Sequence, residues 1–271
     1  MLKQNTSVFS NKAKLIRLKA LENVIKAQKG HLGGTFSCVE ILVSLYYGGF
    51  INIDPAYPKD VNRDFFIMGK GHGCLALYPI LLDLGFINLK RYNEYGCNGS
   101  SIGGQLDLSI PGVEYNTGSL GHALGICAGY ALASKIDGRK NKAISLIGDA
   151  ECDEGAIWEA IIFAGDMKLN NLICIVDRNK LAVTKVIKDS SLFRMFKQKI
   201  ETFNWNCLEI NGHDYDEICK ALKDSYNSKK PTVILADTIK GKGISFMENE
   251  IKWHHTVPTL KELEIAKKEL K

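Results

Sequence analysis

Short apolar runs almost free of polar residues, Ala143 to Ile147, Leu172 to Val176 and Thr232 to Ala236, constrain this chain most, because segments of helical spacing separate them. A strand with one wet face alternates apolar and polar side chains. A strand that is apolar throughout has to be covered on both faces, and in a β-α-β order that means a parallel sheet. The expected class is therefore α/β, a parallel sheet with helices on both faces. Asp64 to Met68 and Cys207 to Ile210 read as further strands. A first helix presents Leu15, Leu18, Leu21 and Ile25 on one face. A second begins at a capping box, Ser37 with Glu40, and stops at Gly48-Gly49. Others are expected at Cys74 to Leu84, Leu120 to Ile136, Gly155 to Lys168, Leu192 to Phe203, Asp214 to Ser225 (capped by Asp214 and Glu217) and Leu260 to Leu270. A Gly/Asn/Ser-rich loop containing Pro111 spans Gly96 to Gly118. Without repeat or linker, residues 1–271 read as a single domain with an N-terminal helical segment and a C-terminal helix.

The helix from Leu120 carries Gly121, Gly125, Gly129 and Ala133 at four-residue spacing, a face that another backbone can approach closely. Packing within the chain and contact with a second chain both suit it. With 45% apolar and 24% charged residues the chain can bury a core. Its greasiest stretch, Ile41 to Ile53, is broken by Ser44, Gly48, Gly49 and Asn52, short of the roughly 18 apolar residues of a membrane span. The polar start, Lys3 to Thr6, lacks a signal-peptide core, so a cytoplasmic location is expected. Eight cysteines contain no C-x-x-C pair and read as reduced, buried thiols. The net charge of +5 is scattered, densest at Lys229-Lys230 and Lys267-Lys268, so no nucleic-acid stripe is present.

Ligands of open parallel sheets bind at the carboxyl ends of the strands. One run ends in Gly148-Asp149 and another in Asp177-Arg178-Asn179, separated by a crossover of βαβ size. A carboxylate and an amide oxygen brought to one crevice suit a hard cation such as Mg²⁺, which prefers oxygen ligands and shares them with phosphate oxygens. Plain turn capping by Asp149 and Asn179 is the alternative.

Gly148-Asp149-Ala150, Glu154-Gly155, Trp158-Glu159-Ala160, Lys168 to Leu172 and Asp177-Arg178-Asn179 together resemble the thiamin-diphosphate signature in its transketolase form. Gly30-His31-Leu32-Gly33-Gly34, Asn52 to Pro55, Arg63-Asp64, Lys70-Gly71-His72, Pro111 to Glu114, Thr117 to Gly121, Asn211 to Asp214, Lys240 to Gly243, Ser245 to Asn249 and Trp253-His254 match in order. The resemblance covers residues 10 to 265 and corresponds only to the N-terminal, diphosphate-binding section of a full transketolase. It implies a thiamin diphosphate-binding fold in which Asp149, Asn179 and the Leu181 carbonyl hold Mg²⁺, and Mg²⁺ grips the cofactor diphosphate. It gives His72 and His254 contact with the diphosphate or reacting centre, and sets His31 along the substrate channel. Backbone groups of Gly118, Ser119 and Leu120 would meet the aminopyrimidine. Ala150, next to Gly148, would offer its N–H to a phosphate oxygen, and Glu154 would be an interface carboxylate linking two cofactor sites. His122, His213 and His255 read as structural or surface residues. The cofactor supplies the carbanion and electron sink, and imidazoles move protons near pH 7.

Gln105, in Gly104-Gln105-Leu106-Asp107, stands where the family usually has a histidine, in a loop that is one residue shorter. An amide cannot act as acid or base, so an altered ketol donor or acceptor is expected. Ala150 and Leu32, in place of glycine and proline, are milder departures. Nothing after Ala236 leaves room for the pyrimidine-binding domain that carries the catalytic glutamate. The expectation is one subunit of a split enzyme, a heterotetramer with a partner supplying that domain, transferring a two-carbon ketol unit between sugars or sugar phosphates. Alternatives are a deoxyxylulose phosphate synthase-like enzyme, a 2-oxo-acid dehydrogenase alpha subunit, and a non-catalytic cofactor-binding or regulatory subunit.

Overall fold

The computed structural model of the chain describes residues 6–182 and 191–271, built around a parallel sheet of five strands. They are β1 (Phe65–Met68), β2 (Ala143–Gly148), β3 (Leu172–Arg178), β4 (Asn206–Asn211) and β5 (Thr232–Asp237), lying in the order β1-β2-β3-β5-β4. The α-helices are α1 (Thr6–Ala27), α2 (Leu32–Ser37), α3 (Val39–Tyr47), α4 (Cys74–Asp83), α5 (Leu89–Tyr92), α6 (His122–Ile136), α7 (Gly155–Asp166), α8 (Phe196–Thr202), α9 (Tyr215–Asn227) and α10 (Leu260–Glu269). Side chains of the central strands alternate between two dry layers. Ile144, Leu146, Ile173, Ile175 and Ile234 enter one core with α1, α3, α4 and α9. Ala143, Ile147, Leu172, Cys174, Val176, Val233 and Leu235 enter the other with α6, α7 and α8. Both faces are covered, which is why these strands carry so little polar alternation. The steps β2 to β3 and β4 to β5 cross the sheet in opposite directions, so right-handed crossovers put α7 and α9 on opposite faces.

Several expectations change. On α1 Leu21 is buried and Leu18 and Ile25 pack partly buried against the core as expected, but Leu15 is exposed, and Phe9, Ala13, Ile16, Ala20 and Val24 complete the buried stripe. Choosing by side-chain size passed over the small buried positions Ala13 and Ala20 and took Leu15 in their place. The Ser37/Glu40 capping box does not form. Cys38 is the N-cap of α3 and makes no side-chain cap bond. Ser37 Oγ instead donates to Asp177 Oδ2 at 2.6 Å, and Glu40 takes both Arg17 Nη atoms at 2.7 and 2.8 Å. Buried charges needing partners outweigh a local cap. The expected Leu192 helix begins only at Phe196, after Met195 turns into the left-handed region at φ +57°. The Asp214 cap forms, accepting from the Asp216 and Glu217 N–H groups. All eight cysteines are free; Cys97 is exposed and the rest are buried. No helix among the described residues is long and apolar enough to cross a membrane.

The glycine stripe resolves differently along its length. Gly121 is buried, has φ +92° and caps α6, and a Cβ there would lie 2.7 Å from that of Glu154. Gly125, Gly129 and Ala133 are exposed. A Cβ on Gly129 would meet nothing within 4 Å, so the described residues do not use this face for close packing within the chain.

Candidate functional site

The carboxyl ends of β1, β2, β3 and β5 converge on one crevice whose lining includes His72, Asp149, Asn179, Leu181, Lys240 and His254. The parallel register brings this about: Met68 pairs with Leu146, Gly148 with Asp177, and Arg178 with Asp237, so the turns that follow emerge side by side. The cavity has a volume of about 70 Å³ and opens to solvent at the strand ends.

Asp149 is 2% exposed and has no ion-pair partner among the described residues. Its Oδ1 accepts from Ala150 N–H at 2.8 Å and its Oδ2 from Lys180 N–H at 2.5 Å. Burial, helped by the charge of Asp177, pushes its carboxyl up to about 6. Asn179 is also buried, with Oδ1 accepting from Leu181 N–H at 3.2 Å. The Leu181 carbonyl accepts from Lys240 Nζ at 2.9 Å, so an ammonium already faces the oxygen expected to face a cation. Among the described residues no three His, Cys, Asp or Glu side chains form a metal cage. A lone buried carboxylate, an amide and a carbonyl are a hard, oxygen-only set that leaves positions for ligand oxygens, which fits Mg²⁺ shared with a phosphorylated group.

Beside this corner Asp177, fully buried, is neutralised by Lys70, which is 2% exposed. Ser37 Oγ and Thr238 Oγ1 also donate to Asp177. The pairing lowers the Asp177 carboxyl and raises the Lys70 ammonium, in both cases against the pull of burial.

Four imidazoles gather at the mouth. The His31 ring centroid lies 5.4 Å from that of His72, 5.3 Å from that of His254 and 4.6 Å from that of His255. Burial is the main cause that lowers His72 to about 2 and His31 and His254 to about 4, with nearby Lys70 or Lys240 adding to it. All three are therefore neutral at pH 7. His254 Nδ1 faces Lys240 Nζ at 3.2 Å; an ammonium can only donate, so this nitrogen accepts and the His254 proton sits on Nε2. The buried His31 Nδ1 has no hydrogen-bond partner, which leaves a polar atom for a ligand.

The histidines give stability a pH dependence. The folded pKa of His72 lies below that of the unfolded chain, so its contribution is intact above pH 6.5 and is lost as pH falls toward 2. Asp149 and Glu151, both raised to about 6, act in the opposite sense between pH 6 and 4, so the informative quantity is a difference between variants. His72→Gln is expected to flatten stability against pH by about 1.4 kcal/mol per pH unit below 6.5. Urea unfolding across that window checks it, and parallel curves would show that His72 titrates normally in the fold.

Of the other expected residues, Gly148, Ala150 and Leu120 line the crevice. The Ala150 N–H, expected to meet a phosphate, is engaged by Asp149. Gln105, Gly118 and Ser119 are exposed, and a Cβ on Gly118 would touch Gln105 at 3.4 Å, so all three belong to the rim. Glu154 is exposed at the start of α7 beside Gly121 and does not line the crevice. Sequence reasoning assigned no role to Lys70, Lys240 or Glu151. The two lysines were visible as motif positions. Glu151, 1% exposed, accepts from Gly121 N–H at 3.0 Å and Gly148 N–H at 3.1 Å, and tethers both turns. His255, read as a surface residue, is exposed but lies against His31.

Crevices at the carboxyl ends of parallel strands, with acidic and basic groups held side by side, receive phosphorylated ligands, and fold and site together place the chain in that class. The chain belongs to the transketolase family, matching over residues 8–271 the part described as the transketolase thiamine diphosphate binding domain. It is 38% identical over 255 residues, 94% of this chain and 90% of the relative, to an apulose-4-phosphate transketolase subunit of Phocaeicola vulgatus. It is 35% identical over 249 residues, 91% of this chain and 90% of the relative, to a 6-deoxy-6-sulfo-D-fructose transketolase subunit of a Clostridium species. The crystal structure of transketolase from Campylobacter jejuni superposes with a TM-score of 0.92 at 30% identity, covering 98% of this chain. The match takes up 43% of that transketolase, so the chain spans under half of a full-length enzyme.

Proposed function

We propose that the chain is the diphosphate-binding subunit of a split, cytoplasmic, thiamin diphosphate-dependent transketolase that moves a two-carbon ketol unit between sugars. The observation that carries this reading is the buried Asp149, without an ion-pair partner among the described residues, beside Asn179 and the Leu181 carbonyl in the strand-end crevice. Asp149, Asn179 and that carbonyl would hold Mg²⁺ against the diphosphate, with Lys240 adding positive charge. Bound thiamin diphosphate supplies the nucleophilic carbon and the electron sink. Neutral His31 and His72 can accept a hydrogen bond from a sugar hydroxyl, and His254 can donate one from Nε2. Gln105 at the rim can bind a hydroxyl but cannot relay its proton, which favours a substrate other than the standard sugar phosphates. The relatives named for apulose 4-phosphate and a sulfo-sugar lend support to an unusual substrate.

The partner supplies the pyrimidine-binding domain and its glutamate over the open side of the crevice. The exposed Gly125, Gly129 and Ala133 face of α6, with Ile136 at 75% exposure and Ile162 and Phe163 exposed on α7, suits contact with a second copy of this chain. Two such pairs make a heterotetramer. The test mixes the chain with the product of a companion gene encoding a pyrimidine-binding domain. Ketol transfer is expected only in the mixture, with xylulose 5-phosphate and ribose 5-phosphate as a poor pair. Full activity of the chain alone would end the split-enzyme reading, and ordinary rates on the standard pair would end the Gln105 argument.

A further inference from the structure

The Asn211-Gly212-His213-Asp214 turn touches neither the crevice nor the imidazole group, yet His213 is held on both ring nitrogens. Its Nε2 accepts from the Ile239 N–H at 2.8 Å, and its Nδ1 lies 3.0 Å from Glu40 Oε2. A backbone N–H can only donate, so Nε2 is unprotonated and the proton sits on Nδ1, donated to Glu40. Glu40 is fixed in turn by both Nη atoms of the buried Arg17, whose Nη2 also donates to Phe36 O at 2.9 Å. Residues 238–243, the segment that carries Lys240, are clasped at both ends by this group. His213 holds Ile239, and a Cβ on Gly243 would lie 3.1 Å from Arg17 Cδ. Gly212 allows the approach, since a Cβ there would lie 2.5 Å from Thr238 Cγ2 and 3.1 Å from Asp237 O. Between the two ends, Gly241 N–H donates to Gly33 O at 2.9 Å, and Lys240 Nζ reaches the Leu181 carbonyl and His254.

We infer that His213 is a positioning residue, which through the Ile239 N–H sets the place of Lys240 against Leu181 and His254 and so governs affinity for a phosphorylated cofactor. This rests on the cofactor reading above, and the two can fail separately. His213→Gln keeps a carbonyl oxygen where Nε2 accepts and loses the donor to Glu40. His213→Asn keeps the donor and loses the acceptor. In the chain with its partner, hydrogen exchange at the Ile239 amide is expected to rise about tenfold in His213→Asn and to stay near wild type in His213→Gln. The dissociation constant for thiamin diphosphate with Mg²⁺ should rise about tenfold in His213→Asn alone. Equal losses in both variants, or a weakened affinity with unchanged Ile239 exchange, would overturn the inference. If the wild-type assembly binds no thiamin diphosphate, the cofactor reading falls, and the exchange comparison still decides whether His213 sets this loop.

Discussion

Lys70→Met is expected to lower the stability of the chain by about 3–5 kcal/mol, because it strands the fully buried Asp177 without its cation. Ser37 and Thr238 still donate to that carboxylate, but two neutral hydroxyls do not replace an ammonium in a site closed to water. For a chain of this size the loss corresponds to a melting temperature about 5–9 °C lower. The double variant Lys70→Met with Asp177→Asn should recover at least half of the loss, since it removes the orphaned charge as well as its partner. The non-additivity is the informative readout: independent sites add, and a buried pair does not. Thermal unfolding of the four proteins closes the cycle. Additive losses would show that Lys70 stabilises the fold by packing rather than by charge.

That pair also marks the limit of what was legible in the sequence. Ala143–Ile147 and Leu172–Val176 announced a sheet covered on both faces because burial of a strand leaves a local trace, the absence of polar alternation. The meeting of Asp149 with Asn179 followed from the same trace, since parallel strands joined by one crossover end side by side. The Lys70–Asp177 contact joins residues far apart in sequence, and no periodicity foretells it. Ser37 was legible as half of a capping box, and Glu40 as the other half. Tertiary partners claimed both, one bonding Asp177 and the other Arg17 and His213. Glu151 looked like one acid among several in Glu151-Cys152-Asp153-Glu154, and nothing local separates the buried one from its exposed neighbours. The resemblance supplied roles for Asp149, Asn179 and the histidines. The support beneath those residues comes from contacts that only the fold reveals.

Asp149→Asn should separate function from stability by moving them in opposite directions. Burial holds the carboxyl at about 6, so the ionised form present at pH 7 is already disfavoured by its surroundings. An amide removes that strain but gives up one of the two N–H contacts, from Ala150 or Lys180. The cofactor-free chain is therefore expected to hold its stability or gain about 1 kcal/mol. Binding should suffer the reverse. On the proposed site Mg²⁺ would lose the one anionic ligand offered by the described residues, and outer contacts alone are worth about 10–100-fold in metal affinity, so Mg²⁺-dependent binding of thiamin diphosphate should weaken by about 100-fold or more. Calorimetric titration of the assembled enzyme, together with urea unfolding of the chain, reads both quantities. A variant that is equally destabilised and equally weakened would make Asp149 a structural cap of the strand-end turn, and the metal corner would then have to be sought elsewhere in the crevice.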